Sequence, residues 1–175
     1  MIILDAKEHS RLIANSEQVC IQAGIQSHFL YESMVNHCGA DEIEWVVKYW
    51  DHKTAGHLGL LLHHVARPDT RCQAIAAALV RNFVDARVIP VNTLIDAMMN
   101  EGVPSPSVLL IPNLYMTMMS KHAPAWRTAA LYDLLLERSI RGKPSVVYVE
   151  DMKGLAKMYG PPFRDFLDRF IRVED

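Results

Sequence analysis

Short segments that are apolar along their whole length alternate in this chain with longer segments of helical periodicity. The apolar segments are residues 58–62, 88–91, 108–111 and 146–149, and helical spacing is found in residues 73–84, 93–100, 125–141 and after Asp151. Strands with little polar alternation are typical of sheets covered on both faces, and helices between them are the crossovers that parallel strands need. The chain is therefore predicted to be an α/β protein with three α/β/α layers and a mainly parallel sheet.

The beginning of the chain shows helical spacing and no strand pattern. Residues 6–23 and 41–52 both have apolar positions at helical intervals. The expected buried face of the second segment consists of Ile43, Val46, Val47 and Trp50. We predict an N-terminal helical extension over residues 1–55, followed by the α/β domain over residues 56–175.

Composition limits the classes of partner and compartment. The 175 residues carry 18 Lys and Arg against 20 Asp and Glu, so no overall basic field favours nucleic acid or an anionic membrane. Residues 121–175 hold ten basic and eight acidic side chains, which permits DNA contact without predicting it. The three cysteines form no C-x-x-C pattern, and no apolar run has the length of a membrane span. We expect a cytoplasmic protein with no membrane association.

The segment after the first strand has the order of a phosphate-binding loop but not its residue types. A strand, a loop and an alanine-rich helix follow one another, as at the start of P-loop proteins. Such a loop needs glycines, so that main-chain N–H groups turn toward the phosphates, and a lysine that reaches the outer ones. No glycine lies between Gly59 and Gly102, and no lysine lies between Lys53 and Lys121. The candidate loop residues are instead His64, Arg67, Asp69, Thr70 and Arg71.

Fragments along most of the chain, from about Ala23 onward, resemble one family. They are Ala23-Gly24-Ile25-Gln26-Ser27-His28-Phe29, Val47-Lys48-Tyr49-Trp50, Gly59-Leu60-Leu61-Leu62, Ala76-Ala77-Ala78-Leu79, Val88-Ile89-Pro90-Val91-Asn92-Thr93-Leu94-Ile95-Asp96-Ala97-Met98, Ala129-Ala130-Leu131-Tyr132-Asp133-Leu134-Leu135-Leu136-Glu137-Arg138, Gly142-Lys143-Pro144-Ser145-Val146-Val147, Met158-Tyr159-Gly160 and Phe166-Leu167-Asp168-Arg169. In this order they resemble the DnaC-type helicase loaders and IstB-type transposition helpers, which are AAA+ P-loop ATPases. The resemblance implies a P-loop NTPase-like AAA+ domain.

The departures from this family fall on the residues that carry its chemistry. The Walker A loop lacks its glycines and lysine, and Arg71 would replace the lysine only in part because a planar fork is not a compact ammonium. At the Walker B position the family has acidic residues, whereas this chain has Pro112 and Asn113, with no Asp or Glu between Glu101 and Asp133. The sensor 1 position holds Glu150. We therefore predict no ATP hydrolysis, no catalytic residue and no bound cofactor or metal.

Without hydrolysis, the resemblance implies a protein that acts by binding. The expected partner is an AAA+ ATPase or a hexameric helicase, in DNA replication or mobile-element propagation, and self-association is a further option. Arg169 resembles the family's trans-acting arginine, and Trp126 and Arg127 are candidates for a subunit contact. Two alternatives stay open: a true helicase loader that binds ATP weakly through an atypical loop, and a scaffold subunit of a larger complex.

Three other groups of residues have a functional and a structural interpretation. A metal site could draw on His37, Cys38, His57, His63 and His64, but their spacing matches no known ligand pattern. Cys72 with His64 as base could form a nucleophile, although a buried helical cysteine is the simpler interpretation. The methionine-rich residues 115–119 suit either a partner surface or core filling.

Overall fold

The computed structural model describes residues 4–57, 59–100, 102, 105–119 and 125–175 of the chain. In these ranges the α-helices are α1 (Ser10–Ala14), α2 (Ser16–Ala23), α3 (Ser27–Tyr31), α4 (Ala40–Val47), α5 (Tyr49–Thr54), α6 (Pro68–Arg81), α7 (Val91–Asn100), α8 (Ala125–Ile140), α9 (Met152–Tyr159) and α10 (Pro161–Leu167). The strands are β1 (Gly59–His63), β2 (Ala86–Val88), β3 (Val108–Tyr115), β4 (Ser145–Val149) and β5 (Ile171–Val173). Short 3₁₀ helices lie at Met34–Asn36 and Thr117–Met119.

The strands form one parallel sheet in the order β2-β3-β4-β1-β5. β1 lies between β4 and β5, with Leu60 opposite Val146 on one side and Ile171 on the other. Because all strands run the same way, they all end at one edge of the sheet, here called the strand-end edge, and begin at the opposite, strand-start edge. This arrangement confirms the predicted α/β class and the parallel sheet.

Helices cover both faces of the sheet, as the continuously apolar strands predict. Leu60 and Leu62 of β1 pack with α1–α6 in one hydrophobic cluster. Leu61, on the opposite face, packs with α7–α10 in a second cluster. The three-layer α/β/α architecture is therefore confirmed, and side-chain alternation along each strand divides the core into its two halves.

The helices of the predicted N-terminal extension belong to the first of these clusters. Side chains of α1–α5, including Phe29 and Trp45, pack in the same cluster as β1 and α6. The hydrophobic core is therefore continuous across the predicted boundary between residues 55 and 56. The division of the chain at that point stays a prediction. Among the described residues no helix is both long enough and apolar enough to span a bilayer.

Two of the predicted helices are each broken into a pair. Residues 6–23 form α1 and α2, which meet at Asn15, and residues 41–52 are divided between α4 and α5 at Lys48. The predicted buried face of the second segment is wrong at two of its four residues, since Val47 is 77% and Trp50 61% exposed. Ile43 and Val46 are partly buried against the core, and Trp45 and Tyr49 are fully buried beside them. The buried residues Glu42, Trp45 and Tyr49 follow i, i+3 and i+7 spacing, so the buried face is rotated relative to the predicted one. An apolar pattern misses this face because it includes the charged Glu42.

Element boundaries also differ near the first two strands. α6 begins at Pro68, five residues before the predicted start at 73, because proline suits the first helical turn, where its missing N–H is not needed. β2 ends at Val88 and α7 begins at Val91, so the predicted strand over residues 88–91 is placed too late. Gly59 begins β1 with φ 155°, and a Cβ there would lie 1.8 Å from the carbonyl oxygen of Ser145. This close approach of β1 and β4 requires glycine.

Candidate functional site at the strand-end edge

Most of the predicted site residues lie at the strand-end edge, where parallel sheets bind their ligands. Residues 64–67 connect β1 to α6, and Glu174 and Asp175 follow β5 next to this loop. The ends of β3 and β4 supply Asn113 and Glu150. The structure therefore brings the candidate Walker A, Walker B and sensor residues to one edge of the sheet.

The loop after β1 contains two non-glycine residues in the left-handed backbone region. His64 has φ 54° and Arg67 has φ 50°, and both side chains are exposed. A non-glycine residue in this region costs roughly 1 kcal/mol, so the loop keeps a glycine-type turn at an energetic cost. If the G-x-x-x-x-G-K-[ST] frame begins directly after β1, His64 takes the place of the first glycine and Thr70 that of the lysine.

The first turn of α6 contains three residues that were predicted to lie in the loop. Asp69 is exposed, and Thr70 and Arg71 are partly buried. The loop is therefore shorter than predicted, because Pro68 already starts the helix. Asp69 is the acidic residue in the first turn of α6, where the helix dipole stabilises its negative charge. The same charge would repel an anion that approached this end of the helix.

Arg71 is held between two carboxylates. One guanidinium nitrogen lies 2.6 Å from Oε1 of Glu42, a second lies 2.5 Å from Oδ1 of Asp175, and Nε donates to the carbonyl oxygen of Ala66 at 3.0 Å. Burial acts to lower the pKa of Arg71, but the hydrogen bonds to both carboxylates outweigh it and raise the pKa above its ordinary value. The arginine is thus fully engaged within the chain.

Glu42 is the buried member of this group, with 0% exposure. Its second oxygen, Oε2, accepts a hydrogen bond from the main-chain N–H of Gly39 at 3.0 Å, which caps the start of α4. A fully buried carboxylate is stable only when it is paired and hydrogen-bonded, and Arg71 and Gly39 meet both needs. Glu42 therefore depends on Arg71 for its counter-charge.

Asp175 joins Arg71 to the loop backbone. Its Oδ2 accepts a hydrogen bond from the main-chain N–H of Ala66 at 2.7 Å, while its Oδ1 contacts Arg71. The hydrogen bond from Ala66 and the charge of Arg71 hold the pKa of Asp175 below its ordinary value of 3.8. A main-chain N–H of the loop, the group that would turn toward a phosphate, thus donates to a carboxylate of the same chain.

A second polar group fixes the residues just before Asp175. Oε1 of Glu174 lies 2.5 Å from Nδ1 of His63 and 2.6 Å from a guanidinium nitrogen of Arg172. The hydrogen bond with His63 is the main reason why the pKa of Glu174 lies below its ordinary value. His63 is the last residue of β1, so this group ties the end of β5 to the beginning of the loop.

The Walker B candidates lie within β3 and not after it, which corrects the predicted strand end at residue 111. Ile111 pairs with Val147 and Tyr115 with Val149, so three residues of β3 face the single residue Tyr148. This bulge is expected at Pro112, which has no N–H to donate to a neighbouring strand. Oδ1 of Asn113 accepts from the main-chain N–H of Val91 at 2.8 Å and so caps α7.

The sensor candidate Glu150 also binds main chain. Its Oε2 accepts from the N–H of Thr117 at 2.6 Å, and its own N–H donates to the carbonyl oxygen of Tyr115 at 3.0 Å. Glu150 therefore closes the segment after β3 onto the end of β4, a structural use for the residue at this position.

The partner-binding candidates lie at opposite edges of the sheet. Trp126 is 51% exposed near the start of α8, where Arg127 donates a hydrogen bond to Oδ1 of Asn92 in α7. Arg169 precedes β5 and is exposed at the strand-start edge. Arg169 and the loop after β1 therefore lie at opposite edges of the sheet.

Of the candidate metal residues, His63 and His64 pack against each other with ring centroids 4.3 Å apart, while the others have separate partners. His37 pairs with Glu32, His57 packs against His52, and Sγ of Cys38 lies 3.8 Å from the carbonyl oxygen of Arg71. Within the described ranges no cluster of three or more His, Cys, Asp or Glu has the geometry of a metal site. Burial raises the pKa of the Cys72 thiol, which is the opposite of what a nucleophile needs.

Sequence reasoning missed Glu42 and Asp175, the two residues that engage Arg71. They lie 29 and 104 positions from it in the chain. The only local signal was the position of Glu42 in the first turn of a helix, three residues after Gly39, which predicts a cap and not an ion pair.

No protein-family model and no curated protein matches this chain. The crystal structure of DnaI is similar over 86% of this chain and 94% of that one, with a TM-score of 0.60 and 16% identity. The chain therefore has a three-layer α/β/α fold of the P-loop NTPase-like type, similar to that of DnaI.

Two replication initiators have the same fold. A DNA replication initiation factor matches over 81% of this chain, with a TM-score of 0.58 and 9% identity. DnaA from Aquifex aeolicus, in its AMPPCP-bound form, matches over 81% of this chain, with a TM-score of 0.58 and 10% identity. The chain spans about half the length of these two proteins, 48% and 49% respectively. At such identities the similarity concerns the fold alone.

Proposed function

We propose that this chain is an AAA+-type domain that acts by binding a partner protein and does not hydrolyse ATP. The observation that carries the proposal is the engagement of Arg71 and the Ala66 N–H by Glu42 and Asp175. An active P-loop presents free main-chain N–H groups and a free cation to the phosphates. Here the cation and one of the loop amides are occupied by carboxylates of the same chain.

The charge around the loop supports the same proposal. An incoming triphosphate would approach Asp69 and Asp175, while the positive charge of Arg71 is already compensated by two carboxylates. Phosphoryl transfer also needs a carboxylate that binds the metal ion. At the corresponding strand, β3, the chain has Asn113, whose side chain caps α7. Loss of a single stabilising group typically costs about a hundredfold or more in rate, so these changes together leave little catalytic capacity.

As partner we propose a replicative helicase, a helicase loader or a related AAA+ ATPase, in DNA replication or mobile-element propagation. The similarity in fold to DnaI and DnaA supports this class of partner. The position of Arg169 supports contact with another molecule, since an exposed arginine at the strand-start edge acts on a nucleotide only in trans. Contact with nucleic acid is not needed for this proposal.

Equilibrium binding of fluorescently labelled ATP with Mg²⁺, together with phosphate release, tests the absence of ATPase activity. We expect no saturable binding below about 1 mM and no release above background, because such an affinity requires about 4 kcal/mol from the loop. Submillimolar binding with turnover would contradict the proposal. Submillimolar binding without turnover would favour the alternative of a loader that binds ATP through an atypical loop.

The partner proposal is tested by pull-down from the native host with the purified chain as bait, followed by ATPase assays on the captured protein. We expect Arg169→Ala to keep the fold but to reduce stimulation of the partner ATPase. Arg164→Ala is the matched control, because Arg164 is an exposed arginine of α10 that pairs with Asp168. Equal stimulation by both variants would remove Arg169 from the mechanism, and capture of a complex without any ATPase would favour the scaffold alternative.

A further inference from the structure

We propose that Asp175 is a built-in competitor for the anion position of the loop, so that the loop admits a phosphoryl anion only when this carboxylate is displaced. The inference deepens the proposed function, on which it rests, because it explains how the loop is kept closed. It concerns the contact of Asp175 with Ala66 and Arg71.

The two oxygens of Asp175 use the two kinds of donor that bind phosphates in proteins. Oδ2 accepts from the main-chain N–H of Ala66 at 2.7 Å, and Oδ1 lies 2.5 Å from a guanidinium nitrogen of Arg71. Main-chain N–H groups and arginine forks are the usual partners of anionic oxygens. A carboxylate held by this pair occupies the place that a phosphoryl oxygen would need.

Of the two carboxylates on Arg71, only Asp175 can leave at low cost. The side chain of Glu42 is 0% exposed and bonded to the Gly39 N–H, whereas the side chain of Asp175 is 41% exposed. A partly exposed carboxylate regains water when it moves away, and a buried one does not. Displacement would therefore free one edge of Arg71 while Glu42 keeps the arginine in position.

The rest of the loop is already arranged for such an exchange. His64 and Arg67 adopt left-handed backbone conformations with Asp175 in place. The preceding residue, Glu174, is held separately by His63 and Arg172, so rotation of the Asp175 side chain does not require β5 to detach. The contact is thus a local, reversible closure of the loop.

Titration with inorganic pyrophosphate tests this inference, followed by calorimetry and by the ¹⁵N–¹H signal of Ala66. We expect Asp175→Ala to bind pyrophosphate at least about tenfold more tightly than the unsubstituted protein, with a saturable shift of the Ala66 amide. Asp175→Asn, which keeps the shape of the side chain, serves as a second variant if the alanine variant folds poorly. Glu174→Gln is the matched control, because it removes the same charge one residue away without touching the loop amide.

Two results would overturn the inference. One is unchanged pyrophosphate affinity in both Asp175 variants, and the other is an equal gain in Glu174→Gln, which would indicate a general charge effect. Neither result bears on ATP hydrolysis by the unsubstituted protein, so failure of this inference is distinguishable from failure of the proposed function.

Discussion

Two largely buried arginines lie at opposite edges of the sheet and are satisfied in different ways. Arg71, at the strand-end edge, pairs with the carboxylates of Glu42 and Asp175. Arg138, at the strand-start edge, is 3% exposed, and its hydrogen-bond partners within the described ranges are neutral acceptors. These acceptors are Oγ of Ser145 and the carbonyl oxygens of Pro106, Ser107 and Pro144.

Arg138 holds main-chain segments together through hydrogen bonds, whereas Arg71 balances the charge of two carboxylates. Burial lowers the pKa of Arg138 to about 10, so the group stays charged at neutral pH and fastens the segments that enter β3 and β4. Arg71 has a raised pKa because two carboxylates share it. Parallel sheets bind their ligands at the strand-end edge, and at this edge the charge of Arg71 is neutralised by carboxylates of the same chain.

The largest effect is expected when Arg71 is replaced. Arg71→Met leaves the fully buried Glu42 without its counter-charge, which should lower the free energy of unfolding by about 3–5 kcal/mol. Urea denaturation measures this change. Adding Glu42→Gln should recover much of the loss, since the buried charge is then gone. A loss below about 1 kcal/mol, or the absence of rescue, would contradict the assigned role of the pair.

A somewhat smaller loss is expected at the other edge. Arg138→Met leaves four acceptors without their donor, and we expect a loss of about 2–3 kcal/mol in urea denaturation. Among the described residues no carboxylate is hydrogen-bonded to Arg138. Asp85→Asn, which removes a carboxylate whose charge acts to raise the pKa of Arg138, should therefore give no rescue. If Asp85→Asn rescued Arg138→Met as well as Glu42→Gln rescues Arg71→Met, the two arginines would not differ in how their charge is satisfied.

Exposed arginines near these sites should matter little. Arg141 pairs with Glu137 on the surface, and both side chains are more than half exposed, at 63% and 56%. Arg141→Met is therefore expected to change the free energy of unfolding by less than about 0.5 kcal/mol. A loss as large as that of Arg138→Met would show that burial does not decide the effect.

The smallest expected effect is the response of Asp175 to acid. Because its pKa is lowered in the folded protein, its contribution to stability is present above the ordinary value of 3.8 and is lost as the pH falls through the lower, folded value. An NMR titration of the side-chain carboxyl should give a pKa below 3.8. In Arg71→Met the pKa of Asp175 should rise toward 3.8. An unchanged pKa would contradict the ion pair between Asp175 and Arg71.

The sequence predicted the layers of the fold better than the contacts of the site. Continuous apolar runs fixed β1, β3 and β4 because both faces of these strands are buried. β5 was not predicted because its three residues include an exposed arginine. The buried face of residues 41–52 was misplaced because it includes Glu42, a charged residue that an apolar pattern does not count. The missing glycines and lysine of the loop can be read directly from the local sequence. The carboxylates of Glu42 and Asp175 lie far from Arg71 in the chain, so only the folded structure shows that they contact it.

The measurement that tests the central claim most directly is a titration of the unsubstituted protein with Mg²⁺ and ATP, followed at the Ala66 amide together with phosphate release. If the loop is occupied by Asp175 and the domain acts by binding a partner, the Ala66 signal will not shift saturably below about 1 mM ATP and no phosphate will be released. A saturable shift at submillimolar ATP accompanied by phosphate release would contradict the account.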